Sequence, residues 1–175
     1  MEKEILEKAK NIKLLLLDVD GVLTDGRIIY DSKGKDLKFF DVHDGLGVYM
    51  LKKAGVPTVL ITAGGSKTLK WRGRDMQVEA IYEGVSCKTS ILNNILKKFK
   101  VDLGNICFVG DDLLDLGLMR RAGLSIAVFN ACPEVKACAH YITLKEGGRG
   151  AVREVAELIL KAKGLWNDMI KDYET

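Results

Sequence analysis

Two aspartates one residue apart, Asp18 and Asp20, follow directly on four leucines, Leu14–Leu17. Much later the apolar run Ile106-Cys107-Phe108-Val109 leads straight into Gly110-Asp111-Asp112-Leu113-Leu114-Asp115. Between these acidic clusters a third apolar run, Val59-Leu60-Ile61, ends at Thr62, and Lys88 opens a helical pattern. Carboxylates crowded into one place are costly unless a cation neutralises them. An all-oxygen ligand set suits Mg²⁺, which shares its coordination shell with water and phosphate. A carboxylate can attack phosphorus, and a second one nearby can carry a proton. A threonine hydroxyl can donate to a phosphate oxygen, and a lysine supplies a compact positive charge. Taken singly, each residue has an ordinary role. Aspartate after a strand caps the next helix, threonine favours strands, and lysine is usually solvated. The ordered set of Asp-x-Asp, Thr, Lys and Asp-Asp is what points to phosphoryl chemistry.

These residues need a scaffold that brings distant strand ends together. Lys13–Leu17, Val56–Thr62, Ile106–Val109 and Ile126–Val128 read as short buried strands. Helical patterns cover 46–54, 66–74, 88–99, 113–122 and 151–163, and Gly55, Gly104 and Gly123 mark expected helix stops. Strands alternating with helices predict an α/β fold with a mainly parallel sheet flanked by helices. In such sheets ligands bind beyond the carboxyl ends of the strands. Both acidic clusters are placed there. One segment breaks the alternation. Residues 27–30 and 37–41, joined by Asp31-Ser32-Lys33-Gly34-Lys35-Asp36, read as a protruding β-hairpin with a turn-forming tip.

Composition narrows the function classes. The chain has 175 residues, 47% of them hydrophobic and 29% charged, which fits one globular domain spanning 1–175. The net charge is only +3 and the basic residues are scattered, so no nucleic-acid groove is expected. No apolar run is long enough to span a bilayer. The N-terminal stretch MEKEILEKAK has acidic residues and no apolar core, unlike a secretory signal, so a cytoplasmic location is expected. Cys87, Cys107, Cys132 and Cys138 form no CxxC pair, which argues against a zinc site. His43 and His140 are far apart, with no nucleophilic partner identifiable from the sequence.

The ordered acids, threonine and lysine resemble the haloacid dehalogenase superfamily of phosphotransferases. The stretch Asp18-Val19-Asp20-Gly21-Val22-Leu23-Thr24-Asp25-Gly26 is most similar to its 3-deoxy-D-manno-octulosonate 8-phosphate phosphatase family. So are Phe40-Asp41-Val42-His43-Asp44-Gly45-Leu46-Gly47, residues 82–88 and 110–114, and Gly147-Gly148-Arg149-Gly150-Ala151-Val152-Arg153-Glu154. The resemblance implies a Rossmann-like core without a cap domain and a Mg²⁺-dependent phosphatase in lipopolysaccharide core sugar synthesis. It also implies roles. Asp18 would be the nucleophile that becomes an aspartyl-phosphate, and Asp20 the general acid and base. Mg²⁺ would be held by Asp18, Asp20 and Asp111, with Asp112 and Asp115 supporting them. Thr62 and Lys88 would bind the phosphoryl group. Asp44, Gly45, Arg72 and Arg149 would contact the sugar acid. Two positions depart from the family: Gly64 stands where a charged residue is usual, and His43 where Arg is common. Both bear on the substrate rather than on the reaction, and a related nine-carbon keto sugar acid phosphate or another phosphosugar is the alternative.

The intervals from Asp20 to Thr62 and from Thr62 to Lys88 are too short to hold a lid domain. In the resembling family, hairpins from four subunits assemble and a neighbour helps close each site, so a homotetramer is expected. Ile28, Tyr30, Leu37 and Phe39 would supply apolar hairpin faces. The apolar tail within 164–175 either reaches an active site or frays. Two readings from other classes compete. A signalling receiver domain also gathers acids, Thr and Lys, but phosphorylates a mid-chain aspartate after an early acidic pair, the reverse of the order here. A non-catalytic sugar-acid binder would have lost its acids, whereas Asp18, Asp20 and Asp111 are present.

Overall fold

In the computed structural model, which describes residues 2–174, the elements run as follows. The chain opens with α1 (Glu2–Lys10), β1 (Leu14–Leu17), β2 (Ile29–Tyr30), β3 (Asp36–Leu37) and α2 (Val42–Lys53). It continues with β4 (Thr58–Ile61), α3 (Lys67–Asp75), β5 (Ala80–Tyr82) and α4 (Leu92–Phe99). Then follow β6 (Ile106–Gly110), α5 (Leu116–Met119), β7 (Leu124–Ala127), α6 (Pro133–Cys138) and β8 (Tyr141–Ile142). The chain closes with α7 (Ala151–Ala162) and α8 (Trp166–Lys171). Short 3-10 turns occupy Lys88–Ile91, Leu103–Asn105 and Leu113–Asp115.

Every residue of β1, β4, β6 and β7 is buried. Strands apolar on both faces need cover on both, and parallel pairing through crossover helices provides it. The sheet order is β5-β4-β1-β6-β7-β8, and all five pairings are parallel. Leu15 lies between Thr58 on β4 and Cys107 on β6. The chain moves from β1 toward β5 on one side, then crosses back to β6 and on to β8. The reversal opens a crevice beyond the carboxyl ends of β1 and β6, where such folds bind ligands.

The sequence reading differs from the fold at several boundaries. The expected helix at 88–99 begins as a 3-10 turn, and it ends at Lys100 in a left-handed conformation (φ 54°) rather than at Gly104. The expected helix at 113–122 is a 3-10 turn followed by the single turn of α5. Asp112 and Asp115 cap that turn reciprocally, which tightens it. Sequence periodicity does not reveal α1, the short α6, the edge strand β8 or α8. The tail at 164–170 is mostly helical, and Trp166 packs against the core.

The hairpin is shorter than expected and separate from the main sheet: only Ile29↔Leu37 and Tyr30↔Asp36 pair. Asp31 holds the tip by accepting the backbone N–H groups of Lys33 and Lys35, each at 2.8 Å. A two-stranded ribbon without a packed face is marginal in water. This one leaves Ile28 73% and Phe39 67% exposed.

Helices α2 and α7 pack closely. A side chain on Gly47 would meet the Cα of Arg153 at 3.1 Å. At this joint Asp44 is fully buried and its Oδ1 accepts the Arg153 N–H at 2.7 Å, so α2 caps the first turn of α7. Burial raises the Asp44 carboxyl to about 6, against the partial pull of that N–H. The folded state therefore holds a proton more tightly than the unfolded chain, whose carboxyl titrates near 3.8. Its contribution to stability is greatest below pH 4 and falls as pH rises toward 6. Asp44→Asn should flatten the pH dependence of the melting temperature across that window. Asp44→Ala, which loses the cap, should cost about 1–2 kcal/mol by thermal unfolding.

Candidate active site

The β1–β6 crevice gathers the chemistry. Asp18 follows β1, and its backbone N–H is tied to Val109 O at 3.1 Å, which locks the two strand ends together. Asp111 and Asp112 follow β6. Thr62 follows β4 and is buried, with its Oγ1 accepting the Gly64 N–H at 3.1 Å. Asp18, Asp20, Thr62, Lys88, Asp111, Asp112 and Asp115 line one cavity of about 280 Å³, together with Gly26, Ala63, Gly64 and Leu114.

Lys88 lies at the centre. It is 3% exposed, and its Nζ donates to Asp18 Oδ1 and to Asp115 Oδ1, each at 2.5 Å. Asp115 Oδ2 accepts the backbone N–H groups of Asp111 at 2.8 Å and Asp112 at 3.3 Å. Asp115 therefore fixes both the lysine and the loop that carries Asp111. Burial raises Asp18 to about 6, the Lys88 charge opposing it and the Asp115 charge adding to it. Burial also raises Asp111 to about 8, with the Asp18 and Asp115 charges adding to the effect. Burial alone would depress Lys88, but its two carboxylates outweigh that and raise it. The cluster thus has one buried ammonium for three crowded carboxyls.

Carboxylate oxygens of Asp18, Asp111 and Asp115 lie within 4.8 Å of one another. Asp111 Oδ1 is buried and has no hydrogen-bond partner among the described residues. Unpartnered buried oxygens are costly, and an oxygen-only set with one spare acceptor fits a hard divalent cation such as Mg²⁺. Backbone geometry protects the position. Gly21 has φ +96°, and a Cβ there would lie 2.0 Å from Asp111 Oδ2. The loop is pressed from behind by Gly147, whose Cβ would lie 1.7 Å from the Gly21 carbonyl oxygen. The glycine run before α7 is therefore a buttress for the first acidic loop.

The expected sugar contacts lie elsewhere. Asp44 sits in the α2–α7 joint, not on the cavity wall. Arg72 Nη2 donates to Asp41 O at 2.6 Å, its guanidinium lies 5.6 Å from the Phe40 ring centroid, and Gly45 gives it room. Arg149 lines a neighbouring cavity of about 390 Å³ with Asp25, Arg27, Phe40 and Asp41. Arg72 thus steadies Phe40 and Asp41, which border this second cavity. Two residues escaped the sequence reading. Glu83 accepts the Ser66 N–H at 2.9 Å and steadies the loop after Thr62. Lys38 donates to Asp20 Oδ1. The alternation Leu37-Lys38-Phe39, which turns Lys38 opposite to its apolar neighbours, was the available signal.

Fold and site define a class: the chain belongs to the haloacid dehalogenase-like hydrolases, whose family model matches residues 65–155. Within that class it is a member of the 3-deoxy-D-manno-octulosonate 8-phosphate phosphatase family. It is 40% identical to that phosphatase of Escherichia coli K12 over 92% of this chain and 86% of the relative. A crystal structure of the Moraxella catarrhalis phosphatase, in complex with magnesium, phosphate and a KDO molecule, superposes with a TM-score of 0.95. It shares 43% identity and covers 98% of each chain. A cobalt-bound form of the Haemophilus influenzae enzyme gives a TM-score of 0.87 at 36% identity, covering 90% of this chain and 92% of that one.

Gly21→Ala should force Asp111 out of place. Isothermal titration with Mg²⁺ should then show at least about tenfold weaker binding, the scale of loss seen when groups that orient metal ligands are removed, while circular dichroism stays close to that of the parent chain.

Proposed function

We propose that this chain is a Mg²⁺-dependent phosphatase of 3-deoxy-D-manno-octulosonate 8-phosphate, working through an aspartyl-phosphate on Asp18. The observation that carries this is the buried Asp18 held by Lys88 beside the unpartnered Asp111 oxygen. That arrangement stores a nucleophile, a charge for the phosphoryl group and a cation seat in one crevice. Asp18, Asp111 and the Asp20 backbone carbonyl would hold Mg²⁺, with Asp112 and Asp115 fixing the loop behind them. Bound there, the ion would neutralise the carboxylates and the phosphate dianion that otherwise repel each other.

An Asp18 carboxylate oxygen forms the bond to phosphorus as the bond to the sugar oxygen breaks. Lys88 and Thr62 hold the equatorial oxygens in line, since most of the acceleration in phosphoryl transfer comes from positioning and charge. The Asp20 carboxyl gives its proton to the departing sugar oxygen, then takes one from the water that cleaves the aspartyl-phosphate. Free sugar acid and inorganic phosphate leave, and Asp18 is restored. The product would feed lipopolysaccharide core synthesis in the cytoplasm.

Gly64 supports a second substrate reading. Gly64 lines the cavity, and a Cβ there would only touch Asp20 Oδ2 and Thr62 Oγ1, each 3.7 Å away, so the missing side chain leaves room on that wall. A nine-carbon keto sugar acid phosphate would use that space. We also take the chain to be one capless domain, 1–175, that assembles as a homotetramer through the exposed apolar hairpin, a neighbour covering each open crevice.

Purified chain with Mg²⁺ should release phosphate from the eight-carbon 8-phosphate faster than from other sugar phosphates, and chelation should stop it. No release from any keto sugar acid phosphate would overturn the reading. Asp18→Asn should lose activity by at least about 10⁴-fold with the fold intact, a loss of the size seen when catalytic nucleophiles are removed. Deleting 27–40 should convert a tetramer to monomers by light scattering, and a surviving tetramer would refute the hairpin assembly.

A further inference from the structure

Lys38 follows β3, on the segment that leads from the hairpin back to α2. Its Nζ contacts Asp20 Oδ1, and Asp36 Oδ2 lies 4.0 Å away on the other side. The Lys38 side chain is only 15% exposed although it stands on a ribbon that is otherwise largely solvated. Long lysine side chains normally keep their ammonium in water. This one is turned inward onto Asp20, with the Asp36 carboxylate farther off at 4.0 Å.

The consequence falls on the other Asp20 oxygen. Oδ2 faces the side of the cavity formed by Gly64 and Thr62, since a Cβ on Gly64 would stand 3.7 Å from both Oδ2 and Thr62 Oγ1. With Oδ1 held by Lys38, the carboxyl rotor is fixed and Oδ2 is aimed where the phosphate ester must lie if Thr62 binds the phosphoryl group. Asp20 is otherwise free to turn, because its side chain is 40% exposed and, among the described residues, hydrogen-bonds only to Lys38.

We propose that Lys38 is a positioning residue: it clamps Asp20 Oδ1 so that Oδ2 delivers the proton to the leaving sugar oxygen. This rests on the phosphatase reading above. In the assisted step the phosphorus–oxygen bond to the sugar breaks, the bond to Asp18 forms, and the proton passes from Asp20 Oδ2 to the departing oxygen. The hairpin thereby has a part in the chemistry of its own subunit.

The test compares leaving groups. A sugar alkoxide leaves poorly and needs the proton, whereas p-nitrophenolate leaves without it. The readout is kcat/KM, which reports steps only up to the first bond cleavage. Lys38→Met should lower kcat/KM about 10- to 100-fold on the sugar phosphate that the wild-type chain hydrolyses fastest, a partial loss of the roughly 10²- to 10⁴-fold that proton transfer supplies. On p-nitrophenyl phosphate the fall should stay within about threefold, and Lys38→Arg should recover most of the sugar phosphate rate. Circular dichroism and melting check that each variant is folded. A clamp that merely tied the hairpin to the core would depress both esters alike. Equal losses on both esters, no loss on either, or a rise in KM alone would overturn the proposal. A wild-type chain that hydrolyses neither ester would instead overturn the phosphatase reading itself.

Discussion

Carboxylates of Asp18, Asp111 and Asp115 crowd within 4.8 Å of one another, and Lys88 is the ammonium between two of them. Two like charges about 4 Å apart repel by roughly 4 kcal/mol even in the partly screened environment near a protein surface. Lys88 offsets part of that, while burial, with the Asp115 charge adding to it, raises the carboxyls of Asp18 and Asp111. The cluster is held under a strain of charge that a bound cation would relieve. Fold, loops and glycines can all be understood as means of keeping the acids together despite that cost.

The parallel sheet does most of this. Its strands end side by side, so acids placed after β1 and β6 meet without any long-range loop to order. The reversal of direction between β1 and β6 keeps crossover helices from covering the crevice. Tight backbone contacts then remove slack. Gly21 lets the first loop pass the Asp111 carboxylate, and Gly147 presses on the Gly21 carbonyl. Asp44 secures the start of α7 that follows this buttress. A residue with no place on the cavity wall thus acts on the cavity through two elements.

The hairpin serves the site in a different way. Its outer face leaves large apolar side chains in water, an arrangement that soluble monomers seldom tolerate when the residues are contiguous. Its inner face sends Lys38 to Asp20. The segment that looks most detachable from the fold therefore carries both a surface for covering and a contact with a residue of the crevice. The second cavity, bordered by Arg27 and Arg149 of opposite ends of the chain, opens at the root of the same segment.

The parallel sheet, its central strands and the acids at their ends were legible in the sequence, because strands buried on both faces must be continuous apolar runs and their polar stops stand out. The shorter elements were not. α5 spans one turn, β8 two residues and the 3-10 turns three or four, too few for any periodicity to register. Among site residues, Asp18, Asp20, Thr62, Lys88, Asp111, Asp112 and Asp115 were recognisable by their order and all reach one cavity. Of the expected substrate contacts, Asp44 sits at a helix joint, Arg72 packs against Gly45 and holds Asp41 and Phe40, and Arg149 lines a second cavity.

What the sequence determined by itself was the inventory of reactive groups and the kind of sheet that would line them up, since both follow from residue type and local pattern. Tertiary structure alone decided which oxygen meets which cation. Lys88 finds Asp18 from 70 positions away and Asp115 from 27, and Lys38 finds Asp20 from 18. Such partnerships depend on how loops from different strands pack, and side-chain contacts across packed loops leave no periodic trace along a chain.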